Sequence, residues 1–193
     1  MSNTAQPAIL PISVEEYLNG EQHSTIRHEY IAGEVFAMAG ASERHNRISL
    51  NLAFHLRANS RGSTCGVFIS DMKVRILADD RFYYPDVLLT CADDDREPFY
   101  KTAPCLIAEV TSPTTKSIDR REKLIAYRTL PSLRDYLLIA QDKRCVEHYQ
   151  RQESGHWLHQ VYETNGEIAL HCPPLHCLIS LDELYEDVVW TAD

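Results

Sequence analysis

The alternation of apolar and polar positions predicts a helix and a hairpin at the start of the chain. Ser13 begins an S-x-x-E sequence. This is a capping box, in which serine and glutamate bond reciprocally to the backbone of a first helical turn, so a short helix is expected from Val14. The stretch "IRHEYIAGEVFAMAG" then has the pattern of two strands that turn near Ala32-Gly33.

A longer helix is expected next. Ser42 is a suitable N-terminal cap and Gly62 a C-terminal stop, so the helix should extend to about Arg61. Apolar side chains recur at every fourth position here, which places them on one helical face. They are Ile48, Leu52 and Leu56. That face should pack against the core.

The rest of the pattern is typical of short strands interrupted by two further helices. In chain order it predicts strands over 67–77 and 82–91 with a polar turn at 78–80, a loop over 92–103, a strand over 105–111, a helix over 117–130, a hairpin over 134–151, a strand pair around Trp157 and Ile168, and a helix near 180–188. We therefore expect one mixed domain of helices and strands spanning residues 1–193.

Composition fits an ordinary globular protein. The chain has 193 residues, of which 44% are hydrophobic and 24% charged, enough for one domain with a sizeable core. No apolar run approaches the roughly 18 residues of a membrane-spanning helix. The N-terminus lacks the basic start and apolar segment of a signal peptide. These features predict a cytoplasmic protein that does not contact a membrane.

The net charge and the cysteine content bear on which classes of function and which kinds of site this protein can have. The net charge of −9 argues against a protein that coats nucleic acid, because phosphate contacts require clustered Lys and Arg. It is compatible with a local basic site and with a bound divalent cation. The six cysteines are scattered, and in a reducing cytoplasm we interpret them as small buried apolar residues.

Two carboxylates stand in apolar strands. Glu109 lies inside the strand over 105–111, and Asp86 follows Pro85 at the start of an apolar run. An isolated buried charge costs several kcal/mol, and two carboxylates close together repel each other, which raises one pKa. A divalent cation such as Mg²⁺ removes both penalties. The alternative is that Asp86 is a turn residue and Glu109 lies on a solvated strand face.

Lys123 lies on the following predicted helix. The helical period places it on one face with Ala126, Tyr127 and Leu130. An amine among apolar side chains needs a carboxylate or a phosphate as its partner. The alternative is an ordinary surface pair with Asp119 four residues earlier, worth about 0.2–0.5 kcal/mol.

The stretch "HCPPLHC" also carries possible metal ligands, since histidine and cysteine both bind zinc. Its ligands are His171, Cys172, His176 and Cys177. Zinc sites usually combine such a segment with a C-x-x-C sequence, which this chain lacks. The competing interpretation is a stiff turn at Pro173-Pro174.

The order Pro85-Asp86 followed by Glu109-Val110-Thr111 resembles the PD-(D/E)xK nuclease superfamily and, more closely, the Uma-type family of restriction-endonuclease-like bacterial proteins. The matching stretches run from about Tyr30 to Arg151. They are "YIAGEVFAMAGASERHNRISLNL", "SDMKVRI", "FYYPDVLLTC", "LIAEVTSPTTKSIDRREKLIAY" and "LRDYLLIAQDKRCVEHYQR". The resemblance implies an α/β (α+β) restriction-endonuclease-like fold: a mixed central sheet flanked by helices, with an N-terminal hairpin and extra C-terminal strands.

One position departs from the superfamily pattern. The pattern has lysine two residues after the glutamate, and Thr111 stands there instead. The resemblance suggests that Lys123 on the next helix supplies the missing amine. Asp86, Glu109 and Lys123 are then the expected catalytic residues, with Asp119 bracing the lysine.

The resemblance also implies a cofactor and contacts for the substrate. Asp86, Glu109 and the Val110 carbonyl are expected to hold Mg²⁺, which Mn²⁺ can replace. His45 and Arg120 are expected to contact the substrate; the alternatives are that His45 is a surface or packing residue in the first turn of its helix and that Arg120 is on a solvated helix surface. Lys116 and Arg121 would extend a basic strip beside Arg120, and Glu34 is either a further acidic group near the metal or a hairpin residue.

The implied activity is metal-assisted phosphodiester hydrolysis, with nucleic acid, most simply DNA, as the partner. Nucleases of this kind often act as dimers, so a homodimer is expected. The alternative is a catalytically silent module that uses the same fold to bind nucleic acid or protein, because a fold alone does not determine function.

Overall fold

The structure, a computed structural model, describes residues 10–111 and 119–190. Its elements are, in chain order, α1 (Val14–His23), β1 (His28–Ile31), β2 (Glu34–Ala37), α2 (Glu43–Asn59), β3 (Gly66–Ile69), β4 (Lys73–Ile76), β5 (Arg81–Tyr83), β6 (Val87–Thr90), β7 (Tyr100–Lys101), β8 (Pro104–Thr111), α3 (Leu124–Arg128), β9 (Asp135–Ala140), β10 (Val146–Arg151), β11 (Trp157–Tyr162), β12 (Glu167–Cys172), β13 (Leu175–Ser180) and α4 (Leu181–Leu184). A 3₁₀ turn (Leu77–Asp79) follows β4, and a π-helical turn (Asp119–Lys123) leads into α3.

A six-stranded sheet forms the centre of the molecule, in the order β11-β10-β9-β8-β6-β3. Strands β8 and β9 run parallel, and the other neighbouring strands of this sheet run antiparallel. Every residue of β8 and β9 is buried, as expected for strands covered on both faces. The predicted mixed central sheet is therefore present.

The two faces of this sheet have different covers. On one face lie α2, the β12–β13 hairpin and α4, and the predicted apolar face of α2 packs there through Ile48, Leu52 and Leu56. On the other face lie α3 and a second sheet, in the order β2-β1-β5-β4-β7. Ile107 and Leu138 of the central sheet pack in one core cluster with Tyr127 of α3. The molecule thus has helices on both sides of its central sheet.

The start of the chain folds as its pattern predicts. Both halves of the capping box form at Ser13 and begin α1, and β1 pairs with β2 as a hairpin. Ala32 and Gly33 make its turn with φ of 48° and 98°, left-handed values that favour glycine. A Cβ on Gly33 would lie 2.5 Å from the Cβ of Pro11, so glycine is also required by space.

The predictions over 67–77 and 82–91 are wrong in one respect, because each run divides into two strands. The first gives β3 and β4, and the second gives β5 and β6; in both cases the two halves belong to different sheets. The first break follows Ser70, whose φ is 45°. The second is at Pro85-Asp86, where proline cannot donate a ladder hydrogen bond. The chain crosses between the sheets at these points.

Two later predictions are corrected as well. The helix predicted over 117–130 is, within the described residues, a π-helical turn and the five residues of α3. The strands around Trp157 and Ile168 do not pair with each other, because β11 joins β10 and β12 joins β13. Their proximity in sequence suggested a hairpin. Instead, β11 pairs with the strand that precedes it in the chain, and β12 pairs with the strand that follows it. None of the helices within 10–111 and 119–190 has the length and apolar character needed to cross a membrane.

The interpretation of the cysteines as small buried apolar residues in a reducing environment needs correction for four of them, because they are disulfide-bonded. Disulfides join Cys65 to Cys91 and Cys105 to Cys172. Each pair links segments distant in the chain, 26 and 67 residues apart. The four residues belong to or pack against the core cluster on the α2 side of the central sheet.

Candidate active site

The two strand carboxylates are brought to the same level of the central sheet. Strands β6 and β8 pair antiparallel with Val87 opposite Ala108 and Leu88 opposite Ile107. Asp86 directly precedes β6 and Glu109 directly follows Ala108, so both carboxylates lie at the same end of this strand pairing.

Asp86 is fixed from two sides. Its Oδ2 accepts a hydrogen bond from the Val110 backbone N–H at 2.7 Å and lies 3.1 Å from His45 Nε2. His45 is in the first turn of α2, where Ser42 caps the helix by accepting from the His45 N–H at 3.2 Å. Both side chains keep some solvent access, 14% for Asp86 and 17% for His45.

Glu109 is more deeply buried, with 5% of its side chain exposed. Its Oε1 accepts a hydrogen bond from the Tyr127 hydroxyl at 2.7 Å and another from Lys123 Nζ at 3.3 Å. The same Lys123 Nζ lies 2.8 Å from Oε1 of Glu29 in β1. A single ammonium group therefore lies between two carboxylates from two different sheets.

Helical geometry explains how Lys123 and Tyr127 reach the same carboxylate. Lys123 ends the π-helical turn and Tyr127 lies four residues later in α3, so both side chains project from one face. Lys123 is buried, as its predicted position among apolar neighbours implies, and its partners are carboxylates. The side chain of Asp119, its other expected partner, lies outside the described part of the structure.

Aromatic rings surround the ammonium group. Lys123 Nζ is 5.4 Å from the centre of the Tyr83 ring, and this ring meets that of Tyr127 edge to face at 5.6 Å. Burial, with a contribution from the nearby Glu109 charge, raises the pKa of Tyr127 well above its ordinary value. Its hydroxyl therefore stays protonated near neutral pH and acts as a donor to Glu109.

The charges of this cluster do not balance among its own members. Glu29, Asp86 and Glu109 supply three carboxylates, against the one ammonium of Lys123 and the imidazole of His45. Oε1 of Glu29 is buried and makes no hydrogen bond among the described residues, because its contact with Lys123 is an ion pair that lacks hydrogen-bond geometry. Carboxylate oxygens are the ligands that Mg²⁺ prefers, but among the described residues these three carboxylates do not form a group of ligand atoms that all lie within 4.8 Å of one another.

The other predicted residues fall in different places. Thr111 is buried at the end of β8, and Val110 meets Asp86 through its N–H. Glu34 is exposed in β2, so the third carboxylate beside the lysine is Glu29. The side chain of Arg120, like Lys116, lies outside the described part, whereas Arg121 is exposed.

The sequence analysis does not indicate that Glu29 and Tyr83 lie beside Lys123. A half-buried glutamate in the strand "HEYI" is a weak signal by itself, since any edge strand tolerates one. Its role depends on the second sheet covering α3, which no local pattern indicates.

Comparisons with known proteins agree with this architecture. A family model described as "Uma2: Putative restriction endonuclease" matches residues 14–183. The chain belongs to the Uma2 family. Two proteins of Synechocystis sp., named slr1290 and sll1609, are 35% and 37% identical to it over 160 and 161 residues, which is 82% of this chain in both cases and 84% and 90% of theirs.

A solved structure shares the fold. The crystal structure of "a putative nuclease belonging to DUF820" from Anabaena variabilis has a TM-score of 0.73 and covers 93% of this Uma2 chain and 100% of its own. Sequence identity is 16%, so this likeness establishes the nuclease-like fold alone. The resemblance inferred from the sequence is confirmed at the level of family and fold.

Proposed function

We propose that this Uma2 protein is a metal-dependent phosphodiester hydrolase, an endonuclease that cuts DNA. Family and fold support a nuclease-type function. The observation that carries the finer proposal is the buried ammonium of Lys123, within 3.3 Å of Glu109 and 2.8 Å of Glu29. A preorganised cation of this kind can stabilise the negative charge that develops on a phosphate during hydrolysis.

Asp86 and Glu109, with the Val110 carbonyl, would hold Mg²⁺, and Mn²⁺ would substitute. Their fit is supported by Asp86, whose Oδ2 is engaged by Val110 and His45 while its Oδ1 makes no hydrogen bond or ion pair with the described side chains of 10–111 and 121–190. When bound, such a cation polarises a phosphate oxygen and lowers the pKa of a coordinated water.

Lys123 has the electrostatic role in this proposal. Its ammonium group stabilises negative charge that develops on the phosphate during attack, and it is preorganised because Glu109 and Glu29 hold it in place. Tyr127 fixes the Glu109 carboxylate through a hydrogen bond of 2.7 Å. In this proposal the lysine, at the end of the π-helical turn, performs the task expected of position 111 in the superfamily pattern.

His45 and Arg120 are proposed to contact the substrate. His45 is the better supported of the two, because its Nε2 already orients Asp86 at 3.1 Å and its side chain is solvent-accessible. In this position the imidazole can contact either Asp86 or a phosphate oxygen of the substrate. A homodimer, which would let two sites cut the two strands of a duplex, stays a prediction.

The test compares Mg²⁺-dependent cleavage of supercoiled and single-stranded DNA by the wild type and Asp86→Asn. The exchange keeps the side-chain shape and removes one charged ligand, so cleavage should fall by at least about 100-fold, the usual effect of losing one electrostatic stabiliser. Asp71→Asn is the matched control, because Asp71 is an exposed aspartate paired with Arg27. Equal cleavage by wild type and Asp86→Asn would contradict the proposal.

One observation favours a second candidate, the silent binding module. Lys123 is held by ion pairs to two carboxylates, and a scaffold without catalysis would retain such a network for stability. Binding of DNA without cleavage under any divalent metal would establish this alternative.

A further inference from the structure

A second group of side chains with metal-binding chemistry lies apart from the proposed active site. Cys65 directly precedes β3, Cys91 directly follows β6, Cys105 is in β8 and Cys172 ends β12. Four separate segments therefore each contribute one sulphur. Cys105 and Glu109 are four residues apart in the same strand, about 13 Å at the usual rise per residue.

Sheet register brings these sulphurs together. Strands β3 and β6 pair with Gly66 opposite Thr90, so the next residues outward, Cys65 and Cys91, face each other. The Sγ atoms of Cys91 and Cys105 lie 3.9 Å apart. Those of Cys91, Cys105 and Cys172 are all within 4.8 Å of one another, and Cys65 is bonded to Cys91.

The cluster is enclosed by protein. Cys65, Cys105 and Cys172 are 7%, 8% and 1% exposed, and Cys91 packs against the same apolar core. Two separate disulfides do not need to lie side by side in a core, whereas the ligands of one metal ion must converge on the same point. Sulphur is the element they have in common.

We propose that Cys65, Cys91, Cys105 and Cys172, in their reduced form, bind one Zn²⁺ ion. Zinc takes four thiolates in a tetrahedron with Zn–S distances of about 2.3 Å, which places the sulphurs roughly 3.8 Å apart. The 3.9 Å separation of Cys91 and Cys105 matches this value, and Cys65, whose sulphur is outside the group of three within 4.8 Å, would join it once its bond to Cys91 is reduced. Binding converts four thiols and one Zn²⁺ to a tetrathiolate complex and releases four protons, with no change in oxidation state. The disulfide-bonded form is the metal-free, oxidised state of the same cluster, and a thiol reductant converts it to the four thiols by supplying two electrons and two protons to each disulfide and becoming a disulfide itself.

This site differs from the local zinc motif that the sequence suggests. Of the residues in "HCPPLHC", only Cys172 joins the cluster. His171 and His176 are exposed on the β12–β13 hairpin, and the His171 ring contacts Gln150. A zinc ion bound by the four cysteines would tie this hairpin to β8 and to the edge of the central sheet, so its role is structural.

The test uses full-length protein without a histidine tag, kept under a phosphine reductant and stripped of metal. Co²⁺ is added as a spectroscopic probe, and zinc is then measured by mass spectrometry after reconstitution. We expect one metal ion per chain with intense thiolate-to-cobalt absorption. Cys105→Ser should weaken metal binding by at least about 100-fold. Changing a residue that only supports a metal ligand typically weakens binding by about 10–100-fold, and losing a ligand itself should cost at least as much as the upper end of that range.

Cys177→Ser is the matched control, since Cys177 is a buried cysteine of the neighbouring strand β13 that is not disulfide-bonded. It should bind Co²⁺ as the wild type does. Circular dichroism establishes that each variant is folded before titration. Three results would overturn the proposal: no more metal on the reduced wild type than on Cys105→Ser, an equal loss in Cys177→Ser, or disulfides that persist under the reductant. None of these readouts depends on nuclease activity.

Discussion

At the scale of single residues, the question is why a fully buried strand carries Glu109. The answer is that its charge is compensated where it lies, by the Lys123 ammonium and by the Tyr127 hydroxyl. Breaking a buried ion pair by removing one partner usually costs about 3–5 kcal/mol, because the other charge stays behind without compensation. The network thus carries stability as well as the proposed chemistry, and its members differ in how safely they can be changed.

Tyr127→Phe is the most informative change within this network. The variant loses the hydroxyl that donates to the buried Glu109 carboxylate, while the ion pair between Glu109 and Lys123 is retained. The free energy of unfolding should therefore fall by about 1.5–3 kcal/mol. Urea denaturation followed by circular dichroism measures the loss. Tyr162→Phe is the control, because its hydroxyl bonds Gln160 on the surface, and it should change stability little. Identical midpoints for the two variants would show that the Tyr127 hydroxyl does not stabilise Glu109.

At the scale of elements, helix α1 is joined to the second sheet by one buried carboxylate. Glu21 Oε1 lies 2.7 Å from His28 Nδ1 in β1, and its Oε2 accepts from the Tyr84 hydroxyl at 2.6 Å. Burial alone would raise the pKa of Glu21, but the hydrogen bonds from Tyr84 and His28 outweigh it and the pKa is lowered. The charged form of Glu21 is therefore the one that holds α1 in place.

The lowered pKa of Glu21 predicts how the stability of the protein depends on pH. A carboxyl whose folded pKa lies below its unfolded value of about 4.3 adds stability above that pH, and the contribution is lost as the pH falls through the folded pKa. Glu21→Gln should therefore be less stable than the wild type at pH 7 and show a flatter decline in acid. Thermal unfolding between about pH 3 and 7 measures both curves. Glu153→Gln, an exposed site, should follow the wild type; a parallel curve for Glu21→Gln would refute the assignment.

At the scale of the whole molecule, a chain with net charge −9 presents one uncompensated basic cluster. The guanidinium groups of Arg128 and Arg151 lie 5.4 and 4.9 Å from the centre of the Trp157 ring, with Arg134 nearby. Burial, together with the positive charges of Arg134 and Arg128, lowers the pKa of Arg151. Within the described residues none of these three arginines makes an ion pair with an acidic side chain, so the surface at the end of α3 suits phosphate groups.

We therefore predict that Arg134→Ala weakens DNA binding in a salt-dependent way. Loss of one phosphate contact should lower the slope of log K against log salt concentration by about 1. Fluorescence anisotropy on the Asp86→Asn background measures binding without cleavage. Arg134 is chosen because Arg151 also donates to the backbone carbonyls of Pro131 and Arg128, so its loss would disturb the fold.

Arg57→Ala serves as the control for this measurement. Arg57 is exposed in the last turn of α2, on the opposite face of the central sheet, and its removal should leave the slope unchanged. If both variants bind with the wild-type slope, the arginine cluster is not the DNA contact.

The sequence by itself determined those features that depend on neighbours within a few residues. The capping box at Ser13, the turn at Ala32-Gly33 and the apolar face of α2 are local, because hydrogen bonding and side-chain periodicity within one element dictate them. The placement of Lys123 and Tyr127 on one face also followed from the helical period, even though the helix is shorter than predicted and begins with a π turn.

Only the tertiary structure determined which elements contact one another. The pairing of β6 with β8 put Asp86 and Glu109 at the same end of the central sheet, and the second sheet brought Glu29 to Lys123. The four-cysteine cluster likewise joins segments up to 107 residues apart, from Cys65 to Cys172. Such contacts depend on strand order and register across the whole chain. They arise from the burial of complete sheet faces, and no pattern within a single element encodes them.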